Sequence, residues 1–184
     1  KSFSNTNADS IYRRSGMFIT STGDTNYYDY KNLAADAEIE FRLARKDPNG
    51  KCTNGIVRIY TPLTNKGNDE LKKTSVWDTK RYFNMWVVKQ INKGNTIGIA
   101  GYAQFPFGGG GGASTDGIMV MASYFGTNDA TVTHEAGHWF GLYHPFQIST
   151  DSCGLDGDGV MDTPPTYFNP TSTEPLRNKC NNKS

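Results

Sequence analysis

The stretch His134-Glu135-Ala136-Gly137-His138-Trp139-Phe140-Gly141-Leu142-Tyr143-His144 contains all three histidines of the 184-residue chain. On an α-helix, residues four apart share a face with Cβ atoms about 5–6 Å apart, so His134 and His138 can aim both imidazoles at one ion. Glu135 lies roughly 100° further round the helix. There it can border a metal without ligating it and take a proton from water. His144 comes ten positions after His134, and an unbroken helix would carry it about 15 Å along the axis, out of reach of the same ion. Gly141 supplies the break, because glycine adopts the left-handed conformation that ends a helix without a Cβ penalty. Three neutral imidazoles leave a fourth position for water, the arrangement of catalytic rather than structural zinc. The stretch therefore predicts a helix ending near Gly141, zinc on His134, His138 and His144, and hydrolysis with Glu135 as general base. A bare HExxH recurs by chance; a glycine and a third histidine at fixed offsets make coincidence a poor rival.

Asn128 or Asp129 is placed to cap a helix that begins near Ala130. Upstream, Glu38-Ile-Glu-Phe-Arg-Leu43 alternates polar and apolar residues, as Gly55-Ile-Val-Arg-Ile-Tyr60 does in part, and both predict strands with one buried face. Phe83-Asn-Met-Trp-Val-Val88 and Gly117-Ile-Met-Val-Met-Ala122 predict more buried strands. The five glycines Gly108–Gly112 are not followed by the lysine of a phosphate-binding loop, so a connection beside the active cleft is the reading we adopt. After Gly141 the composition turns to Pro, Gly, Asn and Thr with little periodicity, which predicts irregular structure.

Composition sets the class rather than the chemistry. A chain of 184 residues with 36% apolar side chains suits one domain with a modest core. Nineteen basic against eighteen acidic side chains leave no strong field for nucleic acid or anionic membranes. No apolar run approaches the length of a membrane span. Cys52, Cys153 and Cys180 allow one internal disulfide at most. Cys153 with Cys180 is the pair we expect, and three reduced thiols the alternative.

These residues resemble the pappalysin family of metzincin metallopeptidases, whose signature HExxHxxGxxH is matched from His134 to His144. The resemblance extends to Ala37-Glu-Ile-Glu-Phe-Arg-Leu-Ala44, Asp47-Pro-Asn-Gly50, Arg81-Tyr-Phe-Asn-Met-Trp-Val87, Gly101-Tyr-Ala-Gln-Phe-Pro106 and Gly157-Asp-Gly-Val-Met-Asp-Thr-Pro164. It implies an α+β fold: a metzincin-like catalytic domain whose twisted mixed sheet packs on the zinc helix. Residues 1–141 would supply sheet and helix, and 142–184 a loop-rich, incomplete C-terminal part of the same domain. It implies a secreted zinc endopeptidase acting on peptide or protein substrates, with no nucleic-acid or membrane partner. It further implies that an edge strand including Thr115, Asp116, Gly117, Ile118 and Met119 pairs with extended substrate, against the alternative of an ordinary core strand. The acidic run at 156–162 resembles a calcium loop with Asp158, the carbonyl of Val160 and Thr163 as ligands, against the alternative of a solvated turn. Two departures stand out. No segment after His144 matches the family's methionine turn or its following tyrosine, and Met161 belongs to the acidic loop. Phe3–Asp9 resembles a stretch that in relatives follows a first strand and helix, so flanking segments of the same precursor are expected to complete the chain. A calcium-binding extracellular module and a zinc-bound but inactive relative remain the competing readings.

Overall fold

The computed structural model describes residues 17–19, 25–27, 37–94, 96–97, 99–106, 114–126, 129–144, 147 and 158–160. The chain divides into two compact units, Lys1–Arg14 with Tyr30–Gly141, and Ser15–Asp29 with Leu142–Ser184. In the second, strands β1 (Met17–Ile19) and β2 (Thr25–Tyr27) pair antiparallel, Met17 opposite Tyr27 and Ile19 opposite Thr25.

The first unit contains helix α1 (Asp69–Lys73), strands β3 (Met85–Val88), β4 (Asn92–Lys93), β5 (Thr96–Ile97), β6 (Gly101–Ala103) and β7 (Ile118–Met121), and helix α2 (Thr131–Trp139). Strands β4 and β5 form a small antiparallel pair. The remaining three form a mixed sheet in the order β3-β7-β6, with β3 parallel and β6 antiparallel to β7. Ile118, Met119 and Val120 of β7 have no exposed surface, as a strand covered on both faces requires. Strand β3 alternates instead: Trp86 and Val88 are buried, Met85 and Val87 exposed. On one face Trp86, Val88, Tyr102 and Met119 gather with Leu71 and Ile91 into a core. Each fully buried apolar side chain of this kind contributes roughly 1.5–3 kcal/mol. The polar tips of the core aromatics are satisfied, Trp86 Nε1–H donating to Ser75 Oγ at 3.0 Å and the Tyr102 hydroxyl to Asp69 Oδ1 at 2.8 Å.

Helix α1 is short but well ended. Asn68 Oδ1 accepts from the N–H groups of Glu70 and Leu71, with Asp69 and Glu70 in the first turn and Lys72 and Lys73 in the last. Helix α2 packs over β6 and β7. Its N-cap position is Ala130, yet Asp129 Oδ1 accepts from Thr131 N–H at 2.7 Å and does the capping from one residue earlier; Asn128 lies outside the described residues.

The mixed α+β architecture agrees with the sequence, and so do β7 and α2; β3 forms where expected but is covered on one face only, with Met85 and Val87 exposed. The segments Glu38–Leu43 and Gly55–Tyr60 differ: neither forms a strand, and Ile56, Val57, Ile59 and Tyr60 are exposed. Alternation specifies which face a strand would bury, but a strand forms only where a neighbour takes its backbone groups. Between the two segments in sequence, Lys46 and Cys52 form an isolated bridge around the Asp47-Pro-Asn-Gly50 turn, and Glu40 is a single bridge residue rather than part of a strand.

Candidate active site

Helix α2 lies close against the sheet because β6 begins with glycine. A Cβ on Gly101 would stand 2.9 Å from both Glu135 Cγ and Thr131 Cγ2, too near for any side chain. Glu135 is thereby pressed onto β6 and buried. Burial pushes its carboxyl up to about 7 from the usual 4.5, against the opposing pull of the Lys72 and Lys93 charges.

His134, one residue before Glu135, and His138, three residues after it, share one face of the helix and converge. Their Nε2 atoms are 3.0 Å apart, one donating to the other, and the rings meet at 83° with centroids 4.5 Å apart. Two nitrogens each about 2.0–2.1 Å from a tetrahedral ion stand roughly 3.3–3.4 Å from one another. The pair thus fits a zinc ion with an adjustment of a few tenths of an ångström. Phe105, just past β6, brings its ring within 5.1 Å of the His138 ring. The helix then ends as its sequence demands: Gly141 has φ +94° and its N–H donates to His138 O at 2.9 Å.

Beyond His138 the aromatic residues anchor the helix end. Trp139 stacks edge-on against Phe83 with centroids 4.6 Å apart, and Phe41 lies 5.1 Å from Phe83 and 6.1 Å from Phe140. The Trp139 indole N–H donates to Asp116 Oδ1 at 2.8 Å.

His144 belongs to the second unit, where it is half-buried and its Nδ1 contacts Gln147 Oε1 at 3.1 Å. Thr115 and Gly117 are buried and Asp116 half-buried. Gly117 has φ +126°, and a Cβ there would overlap the Asn84 carbonyl oxygen, so no other residue serves. The strand that carries Ile118 and Met119 is not an edge strand, contrary to expectation. Ile118 and Met119 lie in β7, which is paired on both sides, so its backbone groups are already committed. Among the described residues the antiparallel edge is β6. The signal was present in the run Ile-Met-Val-Met, which lacks the polar alternation of a half-covered edge. Asp158 is half-buried, and its Oδ1 accepts from Val160 N–H at 2.9 Å around Gly159 at φ +79°, the geometry of an Asx turn. Thr163, Cys153 and Cys180 lie outside the described residues, and Cys52 is an exposed free thiol.

Two residues went unnoticed in the sequence reading of the site. Gly101 carried only the general signal that a glycine within a strand marks close approach by another group. Lys72, in the run Leu71-Lys72-Lys73, carried none, because a lysine in a helix end reads as solvated.

The family model described as pregnancy-associated plasma protein-A, peptidase M43, matches residues 65–184. This chain belongs to the pappalysin family of metallopeptidases. An extracellular metalloprotease of Colletotrichum graminicola is 39% identical over 139 residues, covering 68% of this chain and 46% of its own length. One from Sordaria macrospora is 31% identical over 165 residues, covering 82% of this chain and 51% of its own length. Mature mirolysin of Tannerella forsythia, solved in complex with a cleaved peptide, matches with a TM-score of 0.58 at 37% identity, over 72% of this chain and 53% of that one. This pappalysin chain therefore spans about half the length of the relatives it matches. Among the described residues no helix is long and apolar enough to cross a membrane.

Proposed function

We propose that this chain carries the catalytic centre of a secreted zinc endopeptidase, with His134, His138 and His144 holding the metal and Glu135 acting as general base. The observation that carries the reading is the convergence of the His134 and His138 Nε2 atoms, 3.0 Å apart, on the helix that also bears a buried Glu135. For His144 the support is local. The left-handed turn at Gly141 ends the helix, and three further residues reach up to about 11 Å at ~3.8 Å each. With the Gln147 amide oxygen as acceptor, His144 keeps its proton on Nδ1 and its lone pair on Nε2, the tautomer of a metal-binding imidazole oriented by a neighbour.

When bound, zinc polarises the scissile carbonyl and acidifies water. Glu135 takes the proton of the attacking water and delivers it to the leaving amine nitrogen. Burial raises the pKa of this carboxyl, which favours its taking up the proton that it must then deliver.

The substrate would pair with β6. Ala100 O accepts from Met121 N–H, and Gln104 N–H donates to Gly117 O. By the two-residue alternation of an antiparallel ladder, the peptide groups of Gly101 and Ala103 turn to the opposite edge. An extended peptide hydrogen-bonded there runs alongside Glu135, which Gly101 touches. The mirolysin complex with a cleaved peptide and the extracellular metalloproteases among the relatives support peptide substrates and secretion. A calcium ion on Asp158, the Val160 carbonyl and Thr163, and flanking precursor segments as partners, belong to the same reading on the strength of the family pattern.

Glu135→Gln separates base from ligand. It keeps the zinc and lowers kcat/KM by about 10²–10⁴-fold, whereas His138→Ala loses the metal. A Gln variant with full activity overturns the assignment.

A further inference from the structure

We infer that Lys72, Asp116 and Trp139 form a positioning relay that fixes the last turn of α2, and with it the His138 imidazole, against the sheet. The inference rests on the zinc-centre reading above and assigns the relay no contact with substrate.

Lys72 has no exposed surface. Its Nζ donates to Thr115 O at 3.1 Å and to Gly117 O at 3.3 Å, lies 3.9 Å from Asp69 Oδ1, and sits 4.3 Å from the Tyr102 ring centroid. An ammonium is costly to bury. Here two of its donors go to the carbonyls on either side of one residue, Asp116. Gly117 O also accepts from Gln104 N–H at 3.0 Å, and Ile118 N–H donates to Asn84 O at 3.0 Å, so the gripped segment is tied to β6 and to the chain before β3 as well. Held between two fixed peptides, Asp116 accepts the indole N–H of Trp139 at 2.8 Å. Trp139 directly follows His138. Its ring is wedged against Phe83, which resists displacement of the helix end, while the hydrogen bond sets its rotation. A rotation of that turn would part the two Nε2 atoms, so the bond acts on metal geometry from one residue away.

The test compares zinc affinity, by competition with a chromophoric chelator, in the 184-residue chain and four variants. Asp116→Ala, Trp139→Phe and Lys72→Met should each weaken zinc binding by about tenfold or more, as loss of a ligand-orienting partner does. Asp116→Asn keeps an acceptor oxygen and should stay within about threefold of the parent. A role in general stability alone would leave the affinity of folded Asp116→Ala unchanged, and that result overturns the relay. So does an Asn variant as weak as Ala. A metal-free thermal-melting cycle supplies the second arm: Asp116→Ala combined with Trp139→Phe should be no worse than the worse single change. Additive losses contradict the relay. If the parent binds no zinc, the zinc-centre reading falls, and this cycle still decides whether the residues act as a unit.

Discussion

Glu135 stands between two opposed influences, a dry surrounding that favours its protonated form and two lysines that favour the carboxylate. A general base must be deprotonated to act, so activity rises with pH through its titration. Lys93 is exposed and lowers the Glu135 pKa; Lys93→Gln should therefore move the acid limb of the kcat/KM profile to higher pH. A limb that stays in place or moves down contradicts the electrostatic picture. Gly101 is the steric counterpart. With Glu135 Cγ and Thr131 Cγ2 both 2.9 Å from a hypothetical Cβ, Gly101→Ala must displace the helix or the strand. It should cost about 1–3 kcal/mol of stability and lower activity, read by denaturant unfolding and by kcat/KM together. A fully active, equally stable alanine variant would mean that α2 is not seated as described.

At the scale of elements, α2 is decided by its own residues and the sheet is not. The i, i+4 histidines, the early acidic cap and the glycine stop were all legible because helix geometry is local. Gly141 can be tested directly. At φ +94° an alanine in the left-handed conformation costs about 1–2 kcal/mol, which favours a turn that changes course, and Gly141→Ala should then bind zinc more weakly. Unaltered affinity would remove the turn from the account of His144. Strand order, by contrast, depends on partners distant in sequence. The apolar run of β7 said only that the strand is buried, and its place between β3 and β6, which moves the substrate edge to Gly101–Ala103, emerges from pairing. Likewise Glu38–Leu43 and Gly55–Tyr60 have strand-like alternation without a ladder, and Lys72 looks solvated until its two carbonyl acceptors are known.

For the molecule as a whole, Lys72 makes stability depend on pH. Burial lowers it to about 8 from 10.5. Below pH 8 the folded and unfolded chains both hold the proton. Between 8 and 10.5 the folded chain has released a proton that the unfolded chain keeps, so stability climbs with pH, by roughly 3 kcal/mol in full. The stability of the parent relative to Lys72→Met should therefore increase across that window, measured by denaturant unfolding at a series of pH values. A flat difference would show the lysine to be solvated. Family membership, the histidine pair and the buried glutamate together point to zinc-dependent proteolysis. Its most direct test is zinc content by elemental analysis together with cleavage of an unstructured protein by the same preparation, with and without a zinc chelator. One zinc per chain and cleavage abolished by the chelator is the expected result. A folded chain that binds no zinc, or that cleaves equally well with the zinc removed, would contradict it.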